Sequence, residues 1–409
     1  MRRIVVKFGG TSIGDGERIR RAAESIYREY RKETQIAVVV SAMGDTTDFL
    51  VNVANVGARG MVSAREMDEI MGMGERMSAR LFAAALRSLG AKARWIDPGC
   101  AEWPVITNSN FGHAEVNLTK TQRRFRKYVV PLLERRVIPV LCGFLGRDED
   151  GNVTTIGRGG SDVTAFLVGK YVGADEVIIV TDAEGVMSAD PRMIDGAQLL
   201  KQIAVEEMRD LARYGARVLH PRALDYKDPS ISAKVIHFRH GNLSARGTTI
   251  VGPKGDEMRT TLYEKPLAML TIVGEKLQLV PGILVKTVGP LSKAGINVFG
   301  VSIGPRTFSI YVGQEEMQRS LKLLHDAVAK HELMKSVTSE GEIALIIAES
   351  KKFIETPGMI AKLSQPLARE GINIIEILSS RASISFFVSW ADRRRALKLV
   401  KRTMKEIGG

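Results

Sequence analysis

The chain has 409 residues, 44% of them apolar and 26% charged, which suits two or three folded domains and excludes wholesale disorder. Two cysteines, Cys100 and Cys142, cannot build a disulfide framework or a four-ligand zinc site and read as reduced thiols, and no apolar run reaches the length of a membrane span. The net charge of +13 fits nucleic acid, a membrane surface or an anionic small substrate, and the scarcity of aromatic residues (thirteen Phe, eight Tyr) weighs against the first.

Met1-Arg2-Arg3 leads straight into a strand, Ile4–Val6, with no secretory h-region, so a cytoplasmic protein without nucleic-acid or membrane partners is expected. That strand ends in Lys7-Phe8-Gly9-Gly10-Thr11-Ser12. A lysine before two glycines suits a phosphate, because glycine lets backbone N–H groups approach an anion and the next helix offers its N-terminus. Further strands are predicted over Ile36–Val40, Val137–Leu141, Val177–Val180 and Ala233–Ile236. Strands alternating with helical stretches indicate an α/β domain with a largely parallel sheet. A long helix is predicted from about Ala64 to Leu89, with Met67, Ile70, Met71, Met77, Leu81 and Leu86 as its core face.

A second glycine cluster, Gly157-Arg158-Gly159-Gly160-Ser161-Asp162, precedes an apolar helix. Arg158 has the forked geometry to clasp a carboxylate or phosphate, while Asp162 suits a lysine or a helix cap. The strand over Val177–Val180 runs into Thr181-Asp182, then Gly185-Val186-Met187 and Asp190-Pro191-Arg192, a polar loop where open α/β sheets bind ligands. Tyr214–Pro221 then carries Arg217, Val218 and a His220 that reads as structural. No Gly-x4-Gly-Lys-Ser/Thr loop, no Gly-x-Gly-x-x-Gly after a strand and no protein-kinase signature is found.

The last 150 residues repeat themselves. Pro281-Gly282, Pro290-Leu291 and Gly295-Ile296-Asn297 recur 76 residues later as Pro357-Gly358, Pro366-Leu367 and Gly371-Ile372-Asn373. The same register pairs Ala268 with Ala344, Ser309 with Ser385 and Val312 with Val388. Each copy reads βαββα, and two copies are expected to join their sheets. The unit resembles the ACT domain, a module that usually binds amino acids where two copies meet; a purely assembling pair is the alternative. The helix N-termini after the Pro-Gly corners suit an amino-acid carboxylate, so Pro281, Gly282, Asn297, Pro357, Gly358 and Asn373 are the candidate effector residues.

Taken in order, Lys7–Ser12, Ser41-Ala42-Met43-Gly44, Gly74-Glu75, Phe111-Gly112, Gly143-Phe144, Gly157–Asp162, Thr181-Asp182, Asp190-Pro191-Arg192 and Gly215–Pro221 resemble the amino-acid kinase family, and within it the aspartokinases. The likeness covers nearly the whole chain. It implies a kinase domain over 1–260 with ACT repeats over 261–340 and 341–409. It implies ATP-dependent phosphorylation of the L-aspartate side-chain carboxylate, the opening step towards lysine, threonine and methionine, in a homo-oligomer under feedback by an amino acid such as lysine or threonine. By the same likeness Lys7 bridges phosphates and Asp162 positions it. Ser41, Thr47, Glu75, Arg158 and Ser161 hold the substrate, Arg158 at its carboxylate and Glu75 at its ammonium. Gly9, Gly10, Ser12, Thr181, Asp182, Met187, Arg192, Arg217 and Val218 hold the nucleotide, whose phosphates carry Mg2+, so no metal ligand is expected from the protein. Two positions depart from the family: Met187 replaces a usual tyrosine and Arg217 a usual lysine. A kinase of the same fold for another amino acid, and a non-catalytic sensor, are the rival readings.

Overall fold

The computed structural model describes residues 1–213, 218–252, 258–279, 281–350 and 352–408. It divides into two units, Met1–Gly255 and Asp256–Gly409.

In the first unit the described strands are β1 (Arg3–Phe8), β2 (Gln35–Val40), β3 (Ala93–Ile96), β4 (Ile138–Cys142), the hairpin β5 (Leu145–Arg147) and β6 (Val153–Thr155), β7 (Glu176–Thr181), β8 (Gln202–Ala204), β9 (Ser232–His237) and β10 (Thr248–Val251). Outside the hairpin they form one sheet in the order β3-β4-β2-β1-β7-β9-β10-β8. Every neighbouring pair is parallel except β9 with β10. Ile4, Val5, Val6 and Val38–Val40 are fully buried, as continuous apolar strands must be when both sheet faces are covered. Helix α1 (Gly16–Tyr30) starts at Asp15, whose carboxylate caps the Arg18 N–H at 2.8 Å. After it come α2 (Thr46–Gly57), α3 (Ala64–Ser88), α4 (Leu118–Arg124), α5 (Val130–Glu134), α6 (Gly160–Val172), α7 (Val205–Arg213) and α8 (Pro221–Leu224). Right-handed crossovers put α1, between β1 and β2, and α6, between β4 and β7, on opposite faces. Among the described residues no helix is long and apolar enough to cross a membrane.

Helix α3 corrects one expectation. Ser63 and Glu66 form a reciprocal capping box that fixes its start, yet the predicted core face is largely wrong. Met77 and Leu81 are 41% and 44% exposed, and Met67, Ile70 and Met71 are only half-buried, although Leu86 is fully buried. The buried face carries Asp68, Gly72, Gly74, Glu75, Ser78, Ala79 and Phe82. The cause is distance: a Cβ on Gly74 would stand 2.7 Å from the Ala42 Cβ, so only small side chains fit between this helix and the end of β2.

The second unit holds β11 (Met258–Leu262), β12 (Leu267–Gly274), β13 (Val298–Ile303), β14 (Thr307–Gly313), β15 (Met334–Ser350), β16 (Ile374–Ser379) and β17 (Ser383–Ser389) in one antiparallel sheet. Its helices are α9 (Ile283–Lys293), α10 (Met317–Val328), α11 (Lys352–Glu355), α12 (Met359–Arg369) and α13 (Arg393–Gly408). The repeat is three-dimensional. Ala268 faces Val312 and Ala344 faces Val388 in equivalent strand pairs. Gly282 and Gly358 share φ 78°, Gly295 and Gly371 have φ 73° and 71°, and Pro290 and Pro366 sit inside equivalent helices. Each copy has a fourth strand beyond the predicted βαββα. The first half of β15 supplies it to copy one, pairing β12, while β11 supplies it to copy two, pairing the second half of β15.

Alternation along β12 sends Ala268, Leu270 and Ile272 to the helices and Leu267 and Met269 to the other face. There Tyr311 and Phe387, equivalent positions of the two copies, stack with centroids 3.9 Å apart. Three ladder steps separate their strands, about 14 Å in a flat sheet, so the sheet curls until its helix-free faces meet.

Candidate active site

The parallel strands β1, β2, β4 and β7 bring their C-terminal ends to one edge of the sheet, with β1 flanked by β2 on one side and β7 on the other. The strands added before and after this point lie on opposite sides of β1, and at such a switch in strand order open α/β sheets leave a crevice. Here lies a cavity of about 280 Å³. Lys7 reaches it from the end of β1, Ser41 from the end of β2 and Thr47 from the first turn of α2. Glu75 enters from α3, while Gly157–Asp162, the turn that opens α6, closes the far side.

Lys7, 8% exposed, places its Nζ 2.7 Å from Asp162 Oδ1. Gly159, at φ 73°, is the N-cap of α6, and a Cβ on it would stand 2.4 Å from the Cβ of His220. His220 thus packs on the turn, and as the cap of α8 its Nδ1 accepts the Arg222 N–H at 3.3 Å. Gly143 serves the same end, since a Cβ there would stand 2.6 Å from Ser161 Oγ. Glu75 is 3% exposed. The Ala42 amide donates to its Oε1 at 3.1 Å, and its buried Oε2 has no protein partner. Burial pushes this carboxyl up to about 7, with the Ala42 N–H pulling the other way. A desolvated carboxylate beside the exposed Arg158 offers opposite charges to a zwitterion within one cavity.

All seven of Lys7, Asp162, Ser41, Thr47, Glu75, Arg158 and Ser161 line this cavity. The nucleotide candidates are more scattered. The Gly9 amide donates to Val180 O, and a Cβ on Gly10 would meet Ala42 O at 2.7 Å, so the turn passes close over both neighbouring strand ends. Ser12 is buried, donates its hydroxyl to Val180 O at 3.1 Å and lines a different cavity of about 440 Å³ with Arg18 and Arg239. Thr181 ends β7, and its hydroxyl donates to Asp182 at 3.1 Å. Met187 bridges to Leu199, Arg192 forks onto Asp190 at 3.1 and 2.8 Å in solvent, and Val218 is half-buried against the core. Arg217 lies outside the described residues.

The six effector candidates are all exposed. In each copy the Pro-Gly corner and the asparagine flank opposite ends of one helix, about 16 Å apart along its axis, so they are not gathered within a copy. Sequence reasoning missed Phe144 as a wall of the cavity. It sits at φ 66° against Gly160, and no residue pattern announces a left-handed phenylalanine.

A phosphate-type glycine turn, a lysine–aspartate pair and a zwitterion-sized cavity at a strand switch define a small-molecule kinase of the α/β class. Residues 2–237 match the amino acid kinase family, and residues 262–326 and 338–402 each match the ACT domain. The chain is 33% identical over 410 residues to an aspartokinase of Mycolicibacterium smegmatis, covering 96% of this chain and 94% of that one. It is 32% identical to an aspartokinase of Thermus thermophilus, covering 98% of each. Among solved structures, aspartate kinase from Synechocystis superposes with a TM-score of 0.77 at 26% identity, covering 98% of this chain and 69% of that one. The chain belongs to the aspartokinase family.

Proposed function

We infer that this protein transfers the γ-phosphoryl group of ATP to the side-chain carboxylate of L-aspartate, giving ADP and an acyl phosphate. The observation that carries the substrate is Glu75: a buried carboxylate with an unpartnered oxygen, sharing a cavity with Arg158, suits the ammonium of an amino acid whose carboxylate meets the arginine. Both reacting groups are anionic, so the reaction needs fixed positive charge at the transferred phosphoryl group and a held nucleophile. Lys7 supplies that charge, oriented by Asp162; the Gly9 amide is spent on Val180 O, so the close approach to the phosphates is assigned to the Gly10 end of the turn. Ser41, Thr47 and Ser161 orient the substrate around the attacking oxygen. Magnesium, carried by the nucleotide phosphates, adds charge neutralisation; among the described residues no cluster of three His, Cys, Asp or Glu side chains offers it a site. Thr181, Asp182, Met187, Arg192, Arg217 and Val218 are assigned to the nucleotide side.

Catalysis is assigned to residues 1–260 and regulation to the repeats over 261–340 and 341–409, with an amino-acid effector, an end product such as lysine or threonine, at the repeat pair. A homo-oligomer is supported by α2, which buries none of its residues and leaves Phe49 and Val56 64% and 71% exposed. The deciding experiment traps product with hydroxylamine while amino acids are offered one at a time with ATP. Hydroxamate with aspartate is the expected result. Hydroxamate only with another amino acid, or with none, overturns the assignment. Activity at saturating aspartate against each of the twenty amino acids tests the effector, and complete insensitivity reduces the repeats to an assembly module.

A further inference from the structure

Seven residues before Glu75, on the same face of α3, a second buried acid is left without a role by the reaction. Asp68 is 1% exposed and faces away from solvent into two backbone segments. Its Oδ2 accepts the Thr155 amide at 2.8 Å and the Gly112 amide at 2.9 Å, while its Oδ1 accepts the Thr155 hydroxyl at 2.8 Å. Thr155 is the last residue of β6, three positions before Arg158. Gly112 belongs to the loop that walls the turn: a Cβ on Gly157, at φ 84°, would stand 3.4 Å from Gly112 O and 2.9 Å from His113 Nδ1. On the other side Arg222 donates to Ile156 O. The peptide carrying Arg158 is therefore gripped at the two residues before the turn, where the Asp68 carboxylate acts beside two backbone bonds, Ala114 N–H to Thr155 O and Ile156 N–H to Phe144 O, both at 2.9 Å. Arg158 itself is exposed, so its aim depends on its backbone rather than on packing of its side chain.

We propose that Asp68 is a positioning residue for substrate recognition, fixing Thr155 and Gly112 so that Arg158 presents its guanidinium to the α-carboxylate of aspartate. This rests on the assignment of Arg158 given above. A carboxylate with three hydrogen-bond donors on a buried strand end is costly to remove, and a displaced Arg158 weakens substrate capture without touching the nucleotide.

The test is a cycle of steady-state kinetics on the full chain with Asp68→Ala, Arg158→Ala and the double variant, with Asp68→Asn as the conservative change. Asp68→Ala is expected to raise aspartate KM by roughly 10- to 100-fold, with ATP KM nearly unchanged. The double variant should be no worse than Arg158→Ala alone, because the two residues act through one contact. Asp68→Asn should restore most of the affinity, since its amide oxygen accepts both backbone N–H groups and its NH2 donates to the Thr155 hydroxyl. Fully additive KM effects, or an unchanged aspartate KM in Asp68→Ala, overturn the proposal while leaving Arg158 as a substrate residue. An unchanged aspartate KM in Arg158→Ala overturns both assignments. Should Asp68→Ala fail to fold, Thr155→Val removes one donor at constant shape. A several-fold rise in aspartate KM is then expected, and no rise rejects the positioning role.

Discussion

The end of the catalytic sheet and the paired repeats solve opposite problems. At the sheet end each strand contributes a different side chain, and the charges are held where water is scarce: Lys7 against Asp162, and Glu75 alone with one oxygen unpaired. In the repeats the two copies keep the same partners in the same register and the same left-handed glycines. What duplication released there is the outer surface. Helix α10 and its cap expose Gln318, Lys322, His325 and Ala329, and the equivalent positions of α13 expose Arg394, Lys398, Lys401 and Lys405. Buried geometry is retained because changing it costs packing energy, whereas a solvated face is nearly free to drift.

If the sheet end is where charge does chemistry, the largest effect belongs to its central cation. Lys7→Ala should lower kcat by about 10²-fold or more with a modest change in aspartate KM, as expected when a preorganised electrostatic contact is removed. A folded variant with near-normal kcat would remove Lys7 from the transition state. Next in size, Arg158→Ala and Glu75→Ala should each weaken aspartate use by roughly 10- to 100-fold, the loss of one charged hydrogen bond. Calorimetric titration of nucleotide should stay normal in both variants. A collapse of nucleotide affinity instead would redraw the boundary between the two halves of the pocket.

The acidity of Glu75 sharpens the contrast further. Only its ionised form pairs with the substrate ammonium, so kcat/KM for aspartate should climb as pH rises towards about 7 and then level off. Stability moves the other way. The folded carboxyl holds its proton up to about 7 and the unfolded one loses it near 4.5, so between those values stability falls as pH rises. Glu75→Gln should flatten both profiles; melting scans and kinetics from pH 5 to 8 read them out.

The smallest effect tests the repeats. Tyr311 and Phe387 differ only by a hydroxyl, and that hydroxyl is buried without a partner. Burial accordingly holds the Tyr311 phenol well above its usual range. Tyr311→Phe should raise stability by about 1 kcal/mol, a few degrees in melting temperature. A lower melting point would show that the hydroxyl is satisfied in solution.

The cavity-lining residues were legible because glycines and charges at strand ends form motifs, and the repeat because its corners need Pro and Gly. The rest was hidden for physical reasons. Strand β3 reads Ala-Arg-Trp-Ile and β8 is three residues long, both too short or too polar to show a period. The core face of α3 was misjudged because close approach to β2 selects glycine, alanine and serine over the methionines that hydropathy favours, and because its two buried acids are held by hydrogen bonds from distant backbone. Asp68 gives no local signal at all, since its partners lie 44 and 87 residues away.

The strand that precedes copy one yet belongs to the sheet of copy two has a consequence for how the regulatory unit comes apart. Residues 258–262 are knitted to 346–350, and a single seventeen-residue strand serves both copies. Copy one runs unbroken from β12 into the first half of β15, but copy two is not a contiguous piece of chain. Cutting between them would strip one copy of its edge strand and split the strand the other shares, leaving open backbone edges prone to aggregate. The pair therefore unfolds as one cooperative block, not as two modules melting in turn, and a disturbance that loosens one copy loosens both.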